Sequence, residues 1–508
     1  MLDPRLQNSE HSSDPAIGQR RSLPPVAEGN DARIHPWEKA LLAVTCVHLT
    51  FLPWALGTMH VWSQILSLAF GVLSLGLAVQ ARHYPKRRAG GLPYVLRPFP
   101  RLLQYPIFWC GAAFLVYIVV QGLNPGWEYI PTRSAYWLKG LAHVGWLPSG
   151  LRTPFADANP WRSLVIYGSA WLSACAVWTG FTRRKTLRIL LVVLVVNASL
   201  LALLGLLERA SHADRIFWSW VPPANYFVAS FVYRNHAGAY FDLTLAICCA
   251  LGCWYYRRQA LRQDLSGPAV IFGLLAAILA AIVLYSYSRG ATLLMIGFLA
   301  VVAGMIGRMI FSTSPSGRSL LTVAFVGGLF VALAGLSLYS LKNDRMGERM
   351  RTLPQEVSAP AGNIRIMVAE ATWQMAEDAL ALGWGAGSYR YVFPGYQVRF
   401  PAIMTSKDNH KRLLFEHAHN DYLELLAEFG IVGGIILAAG LVYYFVALAR
   451  LRVWRNQAVS ILFLGCIVTG AHAAFDFPLA NPAILTTWCC LWPAMLRWLE
   501  IENQPEKL

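Results

Sequence analysis

The sequence predicts an all-α, polytopic membrane protein with about 12 transmembrane helices and one large polar loop that contains short helices. Two observations carry this. Of 508 residues, 56% are hydrophobic and only 14% charged, against about 25% charged in a soluble protein. Apolar runs of roughly 18 to 25 residues, the length that crosses a bilayer, recur along almost the whole chain.

The runs place spans at about 37–57, 61–81, 103–122, 161–180, 187–207, 228–254, 268–286, 291–310, 319–340, 425–449, 457–475 and 479–496. Residues 1–36 are polar, with Pro24-Pro25 and scattered charges, and are expected to be disordered. The first apolar run comes too late for a cleaved signal peptide. The expected organisation is a disordered terminus (1–36), nine helices (37–340), the polar loop (341–424), three more helices (425–496) and a short tail (497–508).

The net charge is +16. In a membrane protein the plain cause is Lys and Arg in the cytoplasmic loops, so no nucleic-acid partner is expected. Alternate short loops are indeed basic. They carry Arg82, Lys86, Arg87, Arg88, Arg97 and Arg101; then Arg183, Arg184, Lys185 and Arg188; then Arg257, Arg258 and Arg262; then Arg450, Arg452 and Arg455. This puts both termini in the cytoplasm. The nine cysteines all fall in or beside apolar runs, which indicates neither a disulfide framework nor a Cys-based zinc site.

Two segments face the other way. Residues 123–160 are rich in Trp, Pro and Tyr, as suits the membrane interface. Residues 341–424 are basic on the outer side, with Lys342, Arg345, Arg349, Arg351, Arg365, Arg390, Arg399, Lys407, Lys411 and Arg412. Topology does not call for that charge, and an anionic ligand does.

Chemistry is expected at four places. Arg289, in Ser286-Tyr287-Ser288-Arg289-Gly290, and Arg234, in Arg234-Asn235-His236, stand at membrane depth, where a charge signals function or snorkels to headgroups. Ser and Gly around Arg289 leave room for a ligand. An arginine fork suits phosphate oxygens, and Arg365, on a helix-like stretch from Asn363 to Leu382, is a further candidate or a solvated face.

The third place is Glu416-His417-Ala418-His419-Asn420-Asp421. Asp421 and Glu424 read as a capping box, so a helix starts at Asp421. The helix dipole there disfavours imidazolium and keeps a histidine able to accept a proton. The bland alternative is a pair of loop histidines. A metal site is a further alternative, without a third His or Cys at a typical spacing. Gly383-Trp384-Gly385-Ala386-Gly387 reads as a plain turn. The fourth is Asp476, which either pairs with an arginine or only ends a helix.

His419-Asn420, nine residues, then Gly430-Ile431-Val432-Gly433 resembles the His-Asn-X9-Gly-X-X-Gly pattern of the O-antigen ligase family. Its superfamily also includes O-antigen polymerases and bacterial protein O-oligosaccharyltransferases. The order of Arg-Asn-His-Ala-Gly at 234, Ser-Arg-Gly-Ala at 288, Gly-Trp-Gly-Ala-Gly at 383 and Asp-Phe-Pro at 476 supports the match over roughly 160–496.

The resemblance implies a metal-independent, cofactor-free glycosyltransferase of the bacterial inner membrane, with the large loop in the periplasm. It implies a donor glycan on undecaprenyl diphosphate and an acceptor that is lipid A–core or another glycan. His419 matches the catalytic His and Arg289 the diphosphate-binding Arg. Arg234, with Arg215 as a rival, Arg365, His417, Asn420, Asn235 and His236 are expected to bind substrate. Direct displacement predicts inversion at the anomeric carbon. Ligation is the first expectation and repeat-unit polymerisation the second. A transporter or flippase is a third, although its charged groups would sit near the midplane on broken helices.

Overall fold

The structure is a computed structural model that describes residues 34–84, 94–133, 135–222, 227–262, 267–313, 364–405 and 412–503. Helices α1 (Pro36–Trp54), α2 (Val61–Ala78), α3 (Pro98–Leu103), α4 (Pro106–Leu123), α5 (Pro160–Gly180), α6 (Arg184–Ala210), α7 (Arg234–Arg262), α8 (Ala269–Tyr285) and α9 (Arg289–Thr313) come first. Two helices of the polar loop follow, α10 (Ile364–Asp378) and α11 (Tyr389–Gln397), then α12 (Asp421–Arg450), α13 (Gln457–His472) and α14 (Pro482–Glu502).

Eleven of the twelve predicted spans coincide with a helix, and the one at 319–340 lies outside the described residues. Among the described residues, α2, α4, α6, α7, α9 and α12 are long and apolar enough to cross a membrane. Helices α8 and α13 are apolar but shorter. Length and composition thus establish six spans among the described residues, and the count of twelve is not established.

Helix starts follow local chemistry. Proline stands in the first turn of α1, α3, α4, α5 and α14, where its missing N–H costs nothing. Asn159, Asn456 and Asn481 cap α5, α13 and α14 with their side-chain oxygens. Helix α7 is the centre of the bundle, with 83% of its membrane window buried against 17% for α12. Small residues let neighbours approach it: a Cβ on Gly465 would lie 2.2 Å from that of Ala246.

One end of the bundle is held by buried charge. Arg82 and Glu38 form an ion pair at 3.1 Å, both fully buried. Glu38 also accepts from the Thr182 backbone and hydroxyl and from Thr186, and Arg82 donates to Gly180 O at 2.7 Å. Arg101 lies over Trp178 and pairs with Glu500. These arginines, read in the sequence as orientation charges, are also packing elements. These bonds offset much of the cost of desolvating the pair, although Arg82 Nε is buried without a partner.

The sequence reading contained no strands, and the structure has two small sheets. Strands β1 (Arg82–Tyr84) and β2 (Tyr94–Leu96) pair antiparallel. The other sheet, of β3 (Pro125–Pro131), β4 (Tyr136–Gly140) and β5 (Gly150–Arg152), has the order β4-β3-β5. Its aromatic, alternating residues suit a half-buried pleat. Tyr136 donates to Tyr391 O at 3.0 Å, and the Tyr129 ring packs at a tilt against that of Tyr391. The segment 123–160 thus packs on the polar loop, while Trp137 and Trp146 stay exposed.

Candidate functional site

The site depends first on a break in α12. Gly430 has φ +61 and ψ −169, a conformation essentially confined to glycine. It separates Asp421–Phe429, about two and a half turns that follow the His segment, from the apolar remainder. The freed backbone groups are bonded elsewhere, as a low-dielectric setting demands. Ile431 N donates to Leu380 O and Val432 N to Ala381 O. Trp384 N and Gly385 N donate to Ala427 O and Glu428 O, both at 2.9 Å. From α4, Tyr117 donates to Phe429 O and Leu382 O. Gln121 donates to Glu428 O and accepts from Ala386 N.

The Gly-Trp-Gly-Ala-Gly segment is a turn, as expected, with positive φ at Gly383, Gly385 and Gly387. It is a close-packed strap against the break. A Cβ on Gly383 would lie 2.3 Å from Glu428 O, and its φ is +74.

Helix α12 starts at Asp421 as predicted, but the capping box is corrected. Asn420 is the cap, accepting from Tyr422 N and Leu423 N, so its oxygen is committed to the helix rather than to substrate. Glu424 reaches past the cap instead. Its Oε1 lies 2.7 Å from His417 Nδ1, and its Oε2 accepts from Ala418 N at 2.8 Å. Asp421 N donates to Ala473 O, and Leu479 N donates to Asp421 Oδ2. These bonds tie the His segment to the turn after α13. His419 itself sits in the left-handed region at φ +53, an uncommon conformation for a non-glycine residue.

Asp476, in that same turn, is the hub. Its side chain is 3% exposed. Oδ1 accepts from Phe477 N and lies 3.6 Å from His419 Nδ1. Oδ2 accepts from Asn235 and lies 3.5 Å from Arg365 Nη2. His236 Nε2 donates to Phe477 O at 3.1 Å. The Phe477 ring is stacked between His417 and Tyr233, with His419 edge-on. Asn235 and His236, expected to bind substrate, are buried and hold this turn.

Arg234 is the first residue of α7 and Arg289 the first of α9. Ser288 accepts from Ala291 N ahead of α9, and Tyr287 is left-handed at φ +54 with its hydroxyl bonded by Arg209. The space beside Gly290 is not open to a ligand as expected. A Cβ there would lie 2.5 Å from the Phe475 ring, and one on Gly238 2.6 Å from Ala291. The three motifs at 234, 288 and 476 thus pack on one another, next to the His segment. Helix N-termini at Arg234, Arg289 and Asp421 gather there, and each favours anions.

The described basic residues of the loop divide. Arg365 reaches Asp476, whereas Arg390 pairs with Glu416 and Arg399 lies over Tyr396. Lys342, Arg345, Arg349, Arg351, Lys407 and Lys411 lie outside the described residues.

Electrostatics separate the two histidines. Burial alone would lower the His417 pKa, but the Glu424 carboxylate at 2.7 Å raises it to about 9. This corrects the expectation of a neutral ring: a full charge in contact outweighs a dipole effect of about 0.3–1 kcal/mol. Burial alone would push Asp476 up, yet His419 and Arg365 hold it down to about 2. Among the described residues, no group of three or more His, Cys, Asp or Glu could hold a metal ion.

Sequence reasoning gave Asp476 no certain role and missed Phe477 and the reach of Glu424. An acidic residue between two closing spans was the available signal for the first.

Residues 274–438 match the family model described as O-antigen ligase. This match supports the O-antigen ligase superfamily for the chain. A comparison with curated proteins gives no match. The O-antigen ligase segment runs from α8 into α12 and contains Arg289, Arg365, His417, His419, Asn420 and Gly430. Arg234, Asn235, His236 and Asp476 lie outside it, so the site is assembled from both. The match supports a ligase-like or polymerase-like membrane enzyme, and the family implies lipid-linked polysaccharide substrates.

Proposed function

We propose that the protein is an O-antigen ligase that transfers a glycan from undecaprenyl diphosphate to a hydroxyl of lipid A–core. The reaction takes place on the periplasmic face of the inner membrane, with both termini cytoplasmic. The carrying observation is the meeting of His419, Asp476 and Arg365 at one buried turn, beside the N-terminus of α9 where Arg289 stands. Clustering at one end of the bundle favours a transferase over a flippase, whose charges belong near the midplane.

His419 is the general base. Its Nδ1 faces Asp476, which leaves Nε2 for the acceptor hydroxyl. The 3.6 Å separation is longer than a hydrogen bond, as is common before substrate binds. Nε2 takes the hydroxyl proton as the oxygen attacks the anomeric carbon. The bond from that carbon to the diphosphate breaks on the opposite side, so the configuration inverts. Asp476, anionic at all working pH, stabilises the imidazolium. Arg289, with Arg234 and Arg365, meets the charge that grows on the leaving lipid diphosphate.

Purified protein in proteoliposomes, given undecaprenyl-diphosphate-linked polysaccharide and lipid A–core, is expected to form polymer-bearing lipid A–core. Activity is expected to persist in EDTA, and loss there would contradict a metal-independent reaction. Arg289→Ala is expected to weaken donor binding by about tenfold or more, the worth of a charged hydrogen bond. Unchanged donor affinity would end its diphosphate role. A deletion strain separates ligase from polymerase. Full-length polymer left on the lipid carrier supports ligation, whereas acceptors capped by a single repeat unit support polymerisation.

A further inference from the structure

We propose that Glu424 is a positioning residue of the site, holding His417 by Nδ1 so that the ring's Nε2–H donates to an oxygen of the donor diphosphate, while its second oxygen fixes the backbone that presents His419. This deepens the diphosphate reading above and rests on it. Both contacts come from one carboxylate: Oε1 at 2.7 Å from His417 Nδ1 and Oε2 at 2.8 Å from Ala418 N. An ionised carboxylate only accepts, so Nδ1 carries a proton. The His417 ring is further fixed by stacking on Phe477 at 4.6 Å between centroids, and it keeps partial exposure, 27% of its side chain. Its one remaining polar atom is Nε2.

The second contact bears on the base. Ala418 is 1% exposed, and the residue after it is His419 in its left-handed conformation. Tying Ala418 N to a helix side chain resists relaxation of that turn. A single glutamate therefore serves a cation for the donor and a backbone for the base.

The charged and titratable groups around His417 are Glu424, Asp421 and Glu416 from its own segment and helix. Glu428 lies further along α12, and His236 faces it from α7. Glu416 is itself paired with Arg390 from α11. Burial pushes the Asp421 and Glu428 carboxyls up, so the Glu424 carboxylate in contact dominates, and His417 keeps its proton until the pH rises through about 9. An anion bound by Nε2–H is thus held at neutral pH and released above that range.

Glu424→Gln separates charge from geometry. The amide oxygen still accepts from Ala418 N, and the amide N–H donates to a neutral His417 Nδ1. The test is equilibrium binding of farnesyl diphosphate to the full-length protein in detergent, from about pH 6 to about pH 10. Wild-type affinity is expected to hold to about pH 8 and fall as pH passes about 9. Glu424→Gln is expected to lose affinity from the ordinary imidazole range, about 6.5, and to bind about tenfold more weakly at about pH 8. His417→Gln is expected to bind as weakly, without that pH dependence. If Glu424→Gln follows the wild type at every pH, or His417→Gln keeps wild-type affinity, the proposal is overturned. If Arg289→Ala weakens binding in the same assay, the diphosphate reading survives that result. If the wild type does not bind the probe at all, both fall.

Discussion

Replacing His419 by asparagine or alanine is expected to lower the rate of glycan transfer by about 10²–10⁴-fold, the usual contribution of a general base, with donor binding little changed. Two features make the effect large. A sugar hydroxyl is a weak nucleophile, and His419 keeps 25% of its side chain exposed to receive it, whereas His472, which also has an unbonded ring nitrogen beside Asp476, is 1% exposed. Arg365 and Asn235 are donors only in this setting, and His236 gives its Nε2 to Phe477 O. Asparagine is the better replacement because it tolerates the left-handed backbone that His419 adopts at φ +53. A loss seen with Asn is then a loss of the imidazole rather than of the turn. Single-turnover transfer in reconstituted protein is the measurement, and a wild-type rate in both variants would disprove the base assignment.

Gly430→Ala is expected to destabilise the protein by about 2–6 kcal/mol, combining backbone strain with overpacking. The added Cβ would lie 2.5 Å from Ala381 O, a backbone atom of a segment that is itself bonded to α12 on both sides of the break. The strap cannot withdraw without losing the bonds from Ile431 N and Val432 N. Relaxing the break into continuous helix would rotate the Asp421–Phe429 turns and carry His419 away from Asp476. Activity is expected to fall along with stability. Gly434→Ala is the control, since nothing lies within 4 Å of its added Cβ. It is expected to be neutral or stabilising by up to about 1 kcal/mol through helix propensity. Thermal midpoints in detergent compare the two. Equal midpoints would mean that the helix does not need the break.

The membrane class, eleven of the twelve helix positions and the start of α12 at Asp421 were legible in the sequence, because they rest on short-range properties. A run of apolar residues is a span wherever it packs, and proline and asparagine mark a helix start through their own backbone and side-chain chemistry. The spacing from His419 to Gly430 was legible only as a pattern that resembles a family, and the break at Gly430 was not legible.

The tertiary structure decided what each polar group bonds. Glu424 had two local offers, a cap or a nearby imidazole. It took the imidazole because Asn420 already caps the helix. Asp476 meets Asn235 across 241 residues of sequence, a distance over which no periodicity or spacing carries information. Arg82 looked like an orientation charge and proved to be buried against Glu38, a pairing that needs three helices in place before it exists. The charge of His417 was misjudged on the same ground. Its sequence position shows a helix dipole, whereas a carboxylate at 2.7 Å is a product of folding, and the nearer, fuller charge prevails.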